Sequence, residues 1–507
     1  MRFIDHRLSI LLASASLLAA CATAPAVETA TAPPPVEAVA AAAEPVPVSA
    51  LVNEVSIPHQ KFVLDNGLTV IVHEDHKAPV VGVSIWYNVG SKDEPKGKTG
   101  FAHLFEHLMF NGSENLPGDY FTYLQQIGAT DVNGTTSFDR TNYFQTVPTG
   151  ALERVLFMES DRMGHLLGAV SQGVLDNQRG VVQNEKRQGD NRPGGLVFYE
   201  VLENLFPEGH PYHHTTIGSM ADLDAASLTD VGNWFRDRYG PNNAVLVLAG
   251  DITAATARPM VEKYFADIGR GPVNNPAQAA VPTLAAPKSV VMKDHVATTT
   301  VSRYWAVPGL LDRQLVALDV GGSALGGLAS SRFDKTLVRD EQLAVSASAG
   351  MYALQRVGIF FVQAVVKPGV DPALVEKRLD ELVAQYIAEG PSEAEVQRAT
   401  LGEVGGRIRA LEQVGDFGGK AVTLAEGQTF AGDSDFYKKM MAAYASITPA
   451  EVQAAMKQWL TRPALSIKLE PGERPPYVET KFTPDGKVPA SRTAAKPGPK
   501  RELPVVG

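Results

Sequence analysis

His103, Glu106 and His107 share one apolar stretch, residues 100–110, with Leu104, Phe105, Leu108 and Met109 around them and no Pro to interrupt. That pattern predicts an amphipathic helix. Positions three and four apart on a helix are neighbours, so the two histidines point the same way and can hold one metal ion. Three ionisable groups on an apolar helix are awkward otherwise, because burial without a charge partner is costly. With 11 His in 507 residues, an H-x-x-E-H string arises by chance at roughly the one-in-a-hundred level. A buried helix with two satisfied histidines therefore stays open beside the metal reading. In the metal reading the histidines hold zinc, and Glu106 takes a proton from a metal-activated water and passes it to a leaving amine.

A catalytic zinc site needs a third protein ligand and keeps its fourth position for water. Glu185 is the best candidate, since residues 180–188 read as a helix. Gln178 lies seven residues earlier, about two turns away on the same face, where it can orient the ligand. Taken alone, Glu185 reads better as a solvated surface carboxylate. Residues 131–147 alternate polar and aromatic side chains and predict a strand pair.

Together, residues 100–112, 133–144 and 179–188 resemble the pitrilysin/insulinase family of zinc peptidases, the inverzincins, to which mitochondrial processing peptidase and smaller bacterial relatives belong. The order H-x-x-E-H, the reverse of H-E-x-x-H, is the inverzincin signature. The resemblance spans roughly residues 55–475, with its specific motifs in the first half. It implies one zinc ion per chain, held by His103, His107 and Glu185, with Glu106 as the base. It also implies that the strand near Asn133 is a sheet edge lining a cleft, where an extended peptide adds as a further strand. Asn133 would then donate its amide to the scissile carbonyl; the residues alone fit a plain Asn-Gly turn equally well.

The chain departs from the family at two places. Relatives often carry Glu where this chain has Gln178, which keeps the hydrogen bonding and loses the charge. In single-chain and homodimeric relatives the second half supplies an Arg and a Tyr, seven residues apart, that hold the substrate. Alignment on Glu341, Gln342 and Leu343 places Val338 and Val345 there, with Arg339 displaced by one. A Val cannot donate a hydrogen bond to a carbonyl. The expectation is thus a metal-bearing subunit of a heterodimer, whose related partner without zinc supplies the Arg/Tyr pair.

The two ends have a different character. Arg2 and Arg7 precede a short apolar run at 8–20, too short for a permanent membrane span and typical of an export signal. It ends at Cys21, the single Cys of the chain. A lone Cys in an exported protein needs a reason, and lipid attachment supplies one; ordinary cleavage at an Ala20-Cys21-Ala22 site is the other reading. The expected location is periplasmic, with the chain lipid-anchored at Cys21 to a bacterial membrane, the outer one. Residues 21–52 are mostly Ala, Pro, Val, Thr and Glu and predict a disordered tether. Residues 473–507, rich in Pro and Lys, predict a solvated tail or an arm that lies on a partner.

The body between is too long for one ordinary core. Its apolar content of 44% is normal for a globular protein, and the net charge of −10 argues against nucleic acid or anionic lipid as partner. Asn66-Gly67 predicts a hairpin with a type I′ turn. His73 and His76 read as loop residues, as do His210, His213 and His214. Residues 150–190 read as helical. Ser227 predicts a helix start before a buried strand at 244–251, and Thr448, Pro449 and Glu451 predict another before a strand at 465–469. Gly321-Gly322 and Gly326-Gly327 read as turns or close packing, because no phosphate-loop Lys follows.

The fold expected is α+β: two similar α/β-sandwich halves, mostly antiparallel sheets with helices packed on them, forming a clam-like pair. The expected divisions are a signal at 1–20, a tether at 21–52, a metal-binding half at 53–271, a linker at 272–290, a half without metal at 291–472 and the tail. The function expected is zinc-dependent hydrolysis of peptides or unfolded polypeptides. A non-catalytic binding or assembly subunit that keeps the fold, and hydrolysis of a non-peptide substrate, are the alternatives.

Overall fold

The computed structural model describes residues 47–479 and 501–506. The export signal, Cys21 and most of the expected tether lie outside the described residues, as does the middle of the tail.

Two sheets carry the fold. The first contains β1 (Gln60–Val63), β2 (Thr69–Glu74), β3 (Val80–Tyr87), β6 (Thr130–Thr136), β7 (Thr141–Pro148) and β8 (Ala244–Gly250). Between β3 and β6 lies a small hairpin of β4 (Gly112–Ser113) and β5 (Leu116–Pro117). The strand order is β1-β2-β8-β3-β7-β6, and of these pairs β2/β8 is parallel. β3 and β8 are near-continuous apolar runs, the pattern of strands covered on both faces, and both are central. The second sheet contains β9 (Lys288–Asp294), β10 (Thr300–Pro308), β11 (Ala344–Ala353), β12 (Val357–Val366) and β13 (Leu465–Pro471), in the order β11-β12-β10-β13-β9 with β13/β9 parallel.

Taken from their parallel pairs, the sheets run β2-β8-β3-β7-β6 and β9-β13-β10-β12-β11. They repeat one topology, with β1 as an extra edge strand. A helix closed by a capping box precedes the corresponding strand in each: Leu228–Arg238 (Ser227 with Asp230) before β8, and Pro449–Leu460 (Thr448 with Glu451) before β13. Such boxes satisfy otherwise orphaned helix N–H groups.

Side-chain alternation decides what each face meets. Val70, Val72, Leu246 and Leu248 face a core built with Phe101, Leu104, Phe105 and Leu108. Ile71, Trp86, Val245 and Val247 face the other way, onto Val422, Leu424, Ala425 and Met441 from the helices Lys420–Ala431 and Phe436–Ser446. Reciprocally, Ala306, Ile359, Leu465 and Ile467 of the second sheet meet Val201, Leu202 and Leu205 of the helix Val197–Leu205. Each sheet is thus covered on one face by helices from the other half of the chain. Every fully buried Leu, Ile or Val contributes roughly 1.5–3 kcal/mol, so this exchange couples the halves strongly.

Several expectations change. The turn after β1 is not type I′, which requires positive φ at both central residues. Here Gly67 alone has it (φ 93°), with Gly67 N–H donating to Leu64 O at 2.8 Å. Asn66 instead donates its amide to Phe265 O and Ile268 O (2.7 and 3.0 Å), closing the end of the helix Ala254–Phe265. His73 lies in β2, buried, not in a loop. The 150–190 region is two helices, Leu152–Gly164 and Gln172–Asp190. The Gly pairs at 321–327 lie in helical backbone and not in turns, while the close-packing reading holds: Gly326 leaves no room for a Cβ against Ala349 N (2.3 Å).

The end of the expected tether is also ordered. Val48–Asn53 is a helix that packs Val48, Leu51 and Val52 on the second-half core. The described parts of the tail lie against the rest of the chain: Arg474 donates to Asp294 and to Asp190 O and Arg192 O. Farther on, Glu479 pairs with Lys186 and Arg501 with Asp161. No helix among the described residues is long and apolar enough to cross a membrane.

Candidate metal centre

The helix Phe101–Leu108 begins at Gly100, whose φ of 92° favours glycine; a Cβ there would come within 2.8 Å of Ile217 O. With no side chain at the N-cap, the first N–H groups find a carboxylate from elsewhere. Glu94 accepts from Gly100 N (3.0 Å) and Ala102 N (2.8 Å). His214 Nε2 lies 2.9 Å from the same carboxylate. Burial pushes Glu94 up from the ordinary carboxylate range, and these partners oppose that only in part. A carboxylate at a helix N-terminus also complements the helix dipole.

Because Phe101, Leu104, Phe105 and Leu108 are buried in the core, the helix presents His103 and His107 toward the helix Gln172–Asp190, which carries Glu185. The Nε2 atoms of His103 and His107 are 3.4 Å apart. Glu185 Oε2 lies 3.6 Å from the first and 3.4 Å from the second. A point central to a triangle of those edges is about 2.0 Å from each corner, the reach of zinc to nitrogen or carboxylate oxygen. Among the described residues this is the group of three ligand-type side chains close enough to hold one ion.

Protonation agrees with that donor set at His103 and Glu185, whereas His107 has to give up a proton to bind an ion. Burial, then the charge of His107, holds His103 down at about 4, so its ring is neutral. Burial also opposes charge on His107, but the hydrogen bond and charge of Glu185 outweigh it and its pKa is raised. Burial would raise Glu185, yet His107 and then His103 hold it low, keeping it ionised. Neutral imidazole and ionised carboxylate are the ligand forms. His103 Nδ1, buried, has no hydrogen-bond partner among the described residues.

Glu106 is buried on the same helix and accepts from Thr136 Oγ1 at 2.7 Å. Burial raises its pKa; Thr136 and the nearby charges of His107 and Arg140 pull the other way. Thr136 ends the edge strand β6, which also bears Asn133. Asn133 pairs with Phe144 of β7, so it lies in a strand, not in a turn, and its Oδ1 accepts from Gly134 N (2.9 Å). Gln178 is buried, and its Nε2 donates to Asn111 Oδ1 (3.1 Å), while Asn111 Nδ2 donates to His107 O (3.0 Å). Two amides thus join the histidine helix to the Glu185 helix.

Other candidates lie elsewhere. His73 Nδ1 bonds to Pro58 O, His76 pairs with Asp251, and His210 bonds to Ala280 O. Val338 lies partly buried in the helical turn Asp334–Asp340, and Val345 is exposed on the edge strand β11. Arg339 pairs with Asp334. Glu94, Asn111 and Thr136 were not singled out by sequence reasoning. Their partners are brought near by the fold, except Asn111, four residues beyond His107, whose place as a helix-end amide was readable.

Comparison with known proteins places the chain among zinc-protease relatives. Residues 69–217 match the family model Insulinase (Peptidase family M16), and residues 225–401 match Peptidase M16 inactive domain. Zinc protease PqqE of Helicobacter pylori is 29% identical over 394 residues, 76% of this chain and 87% of that protein. The probable mitochondrial-processing peptidase subunit beta of Schizosaccharomyces pombe is 24% identical over 202 residues, 40% of this chain and 44% of that one. The crystal structure of a protease from Helicobacter pylori superposes with a TM-score of 0.74 at 25% identity, covering 82% of this chain and 99% of that one. With both halves of its body matched, the chain belongs to the insulinase (M16) family of peptidases.

Proposed function

We propose that the chain is a zinc-dependent endopeptidase acting on peptides or unfolded polypeptides. The observation that carries this reading is the 3.4–3.6 Å triangle of His103, His107 and Glu185 with buried Glu106 on the same helix. His103, His107 and Glu185 would hold the ion, which when bound supplies Lewis acidity and lowers the pKa of water. Glu106, turned by the Thr136 hydroxyl, accepts the proton of the attacking water and returns it to the leaving amine. Its raised pKa makes it a stronger base once ionised. β6 receives the peptide as an added strand, and Asn133 offers its amide to the scissile carbonyl.

Val338 and Val345 supply no donor from the second half, so we read the chain as the metal-bearing subunit of a heterodimer whose related partner provides the Arg/Tyr pair. Alone it should cleave peptides poorly; full activity without a second subunit would refute that point. Cys21 we read as a lipid-attachment site on a periplasmic protein, which fractionation of Cys21→Ser would check.

The main test is Glu106→Gln. It should keep one zinc per chain by metal analysis and lose cleavage of a peptide panel by at least a hundredfold. If neither form cleaves with any co-purifying subunit, the chain is a binding subunit that retains the fold. If the wild type takes up no zinc, the centre itself has been misread.

A further inference from the structure

Arg140 follows the turn between β6 and β7 and is partly buried. Its Nη1 donates to Thr135 O at 2.9 Å. The next residue along β6, Thr136, donates to Glu106, so the guanidinium and the base flank the same two residues of the edge strand. The guanidinium lies over the ring of Trp86, 5.0 Å from its centre, and Trp86 in turn meets Phe430 edge-on at 5.8 Å. The cation is therefore held in place by a strand carbonyl and an aromatic platform.

What it lacks is an anion. Among the described residues Arg140 makes no ion pair, and its one side-chain hydrogen bond is to the neutral Thr135 carbonyl. Its neighbours are otherwise engaged. Asp139 accepts from Tyr212 Oη (2.6 Å) and Gln355 N (2.8 Å), and Glu106 accepts from Thr136. Glu426, then Glu106, Tyr352 and Asp139, act on the charge of Arg140, but among the described residues none of these three carboxylates pairs with it. A partly buried guanidinium normally finds a carboxylate, because its planar fork of five donors matches two oxygens at once. An ordered one without such a partner, beside a peptide-accepting strand, calls for one from outside.

We propose that Arg140 binds a carboxylate of the substrate close to the scissile bond. This rests on the peptidase reading above and gives it a preference: the enzyme favours peptides with an acidic group where the chain passes Arg140. Two sources share that chemistry, an Asp or Glu side chain and the free C-terminus of a short peptide. Arg140 does not replace the missing Arg/Tyr pair, whose task is to hold the carbonyl.

The experiment uses the zinc-loaded full chain with whatever subunit co-purifies. Peptides carrying Glu or Gln at each position flanking the cleaved bond are compared, each with a free or an amidated C-terminus. The wild type should favour Glu over Gln at one position by about tenfold in kcat/KM, the size of one charge-assisted hydrogen bond, or the free over the amidated terminus if the C-terminus is the ligand. Arg140→Gln should bring that ratio near one, and Arg140→Glu should invert it in favour of a Lys peptide. An inverted ratio cannot arise from misfolding. The same pairs are titrated onto Glu106→Gln by calorimetry, which reads the preference without turnover. Absence of cleavage with a Glu/Gln affinity difference sinks the peptidase reading and keeps the carboxylate site. Cleavage with no acidic preference, or a preference that survives Arg140→Gln, overturns the inference and leaves the peptidase reading intact.

Discussion

Glu395 performs two tasks at one helix start. It closes the capping box of the helix Glu393–Ala410 with Ser392 and takes a two-point contact from Arg332 (2.8 and 3.0 Å). Burial alone would raise its pKa; the Arg332 guanidinium and the Ser392 groups outweigh burial and hold it at about 2. An ordinary Glu titrates near 4.3. A carboxylate depressed on folding adds stability that is complete above about pH 5 and drains away as pH falls toward 2. Glu395→Gln should therefore cost about 1–2 kcal/mol at pH 7, with the gap to wild type closing by about pH 2. Urea melts across that range would show it, and a gap that widens toward acid would contradict it. Local spacing made such boxes readable, as it made His103, Glu106 and His107 readable. Thr136 and Glu94 were not, since nothing in their own surroundings marks a hydroxyl or a carboxylate that the fold delivers to another element.

Among elements, the pair that matters most is the histidine helix and the helix Gln172–Asp190. Neither can set the ligand triangle alone, and Asn111 and Gln178 tie them together without adding charge. Groups that orient metal ligands typically change metal affinity by 10–100-fold when removed. Asn111→Ala and Gln178→Ala should each weaken zinc binding by about tenfold, and the double variant by little more, because both cut the same link. Competition with a chelating dye gives the three constants; additive losses would mean that the amides act separately. The helices, the β6–β7 strand pair and the edge placement of β6 could be read from alternation and from family resemblance. The turn after β1 could not, because Asn66 is drawn away by the end of a helix nearly two hundred residues later, a competitor that no local turn preference contains.

At the scale of the whole molecule, composition misled where individual anchors decide. The segment at 47–53 looked like tether, yet Val48, Leu51 and Val52 carry helical spacing and bury themselves on the second half. The tail is poor in apolar residues, but its Arg474 bridges the two halves. It pairs with Asp294 of β9 and donates to Asp190 O and Arg192 O, where the Glu185 helix ends, while Gly194 N donates to the same Asp294 (2.8 Å). Asp294 is buried, so removing its cation leaves a charge with poor access to water. Breaking a buried pair from one side costs about 3 kcal/mol or more. Arg474→Ala should therefore lower overall stability by about that amount and speed amide exchange in residues 186–197, since local opening follows lost anchoring. Asp294→Asn, which keeps the shape and removes the charge, should cost less, and adding Arg474→Ala to it should change little. If exchange at 186–197 is unmoved while the melt shifts, the tail stabilises the molecule without bracing the helix that carries Glu185. If both move together, the zinc off-rate should rise with them, because the third ligand is only as steady as the end of the helix that holds it.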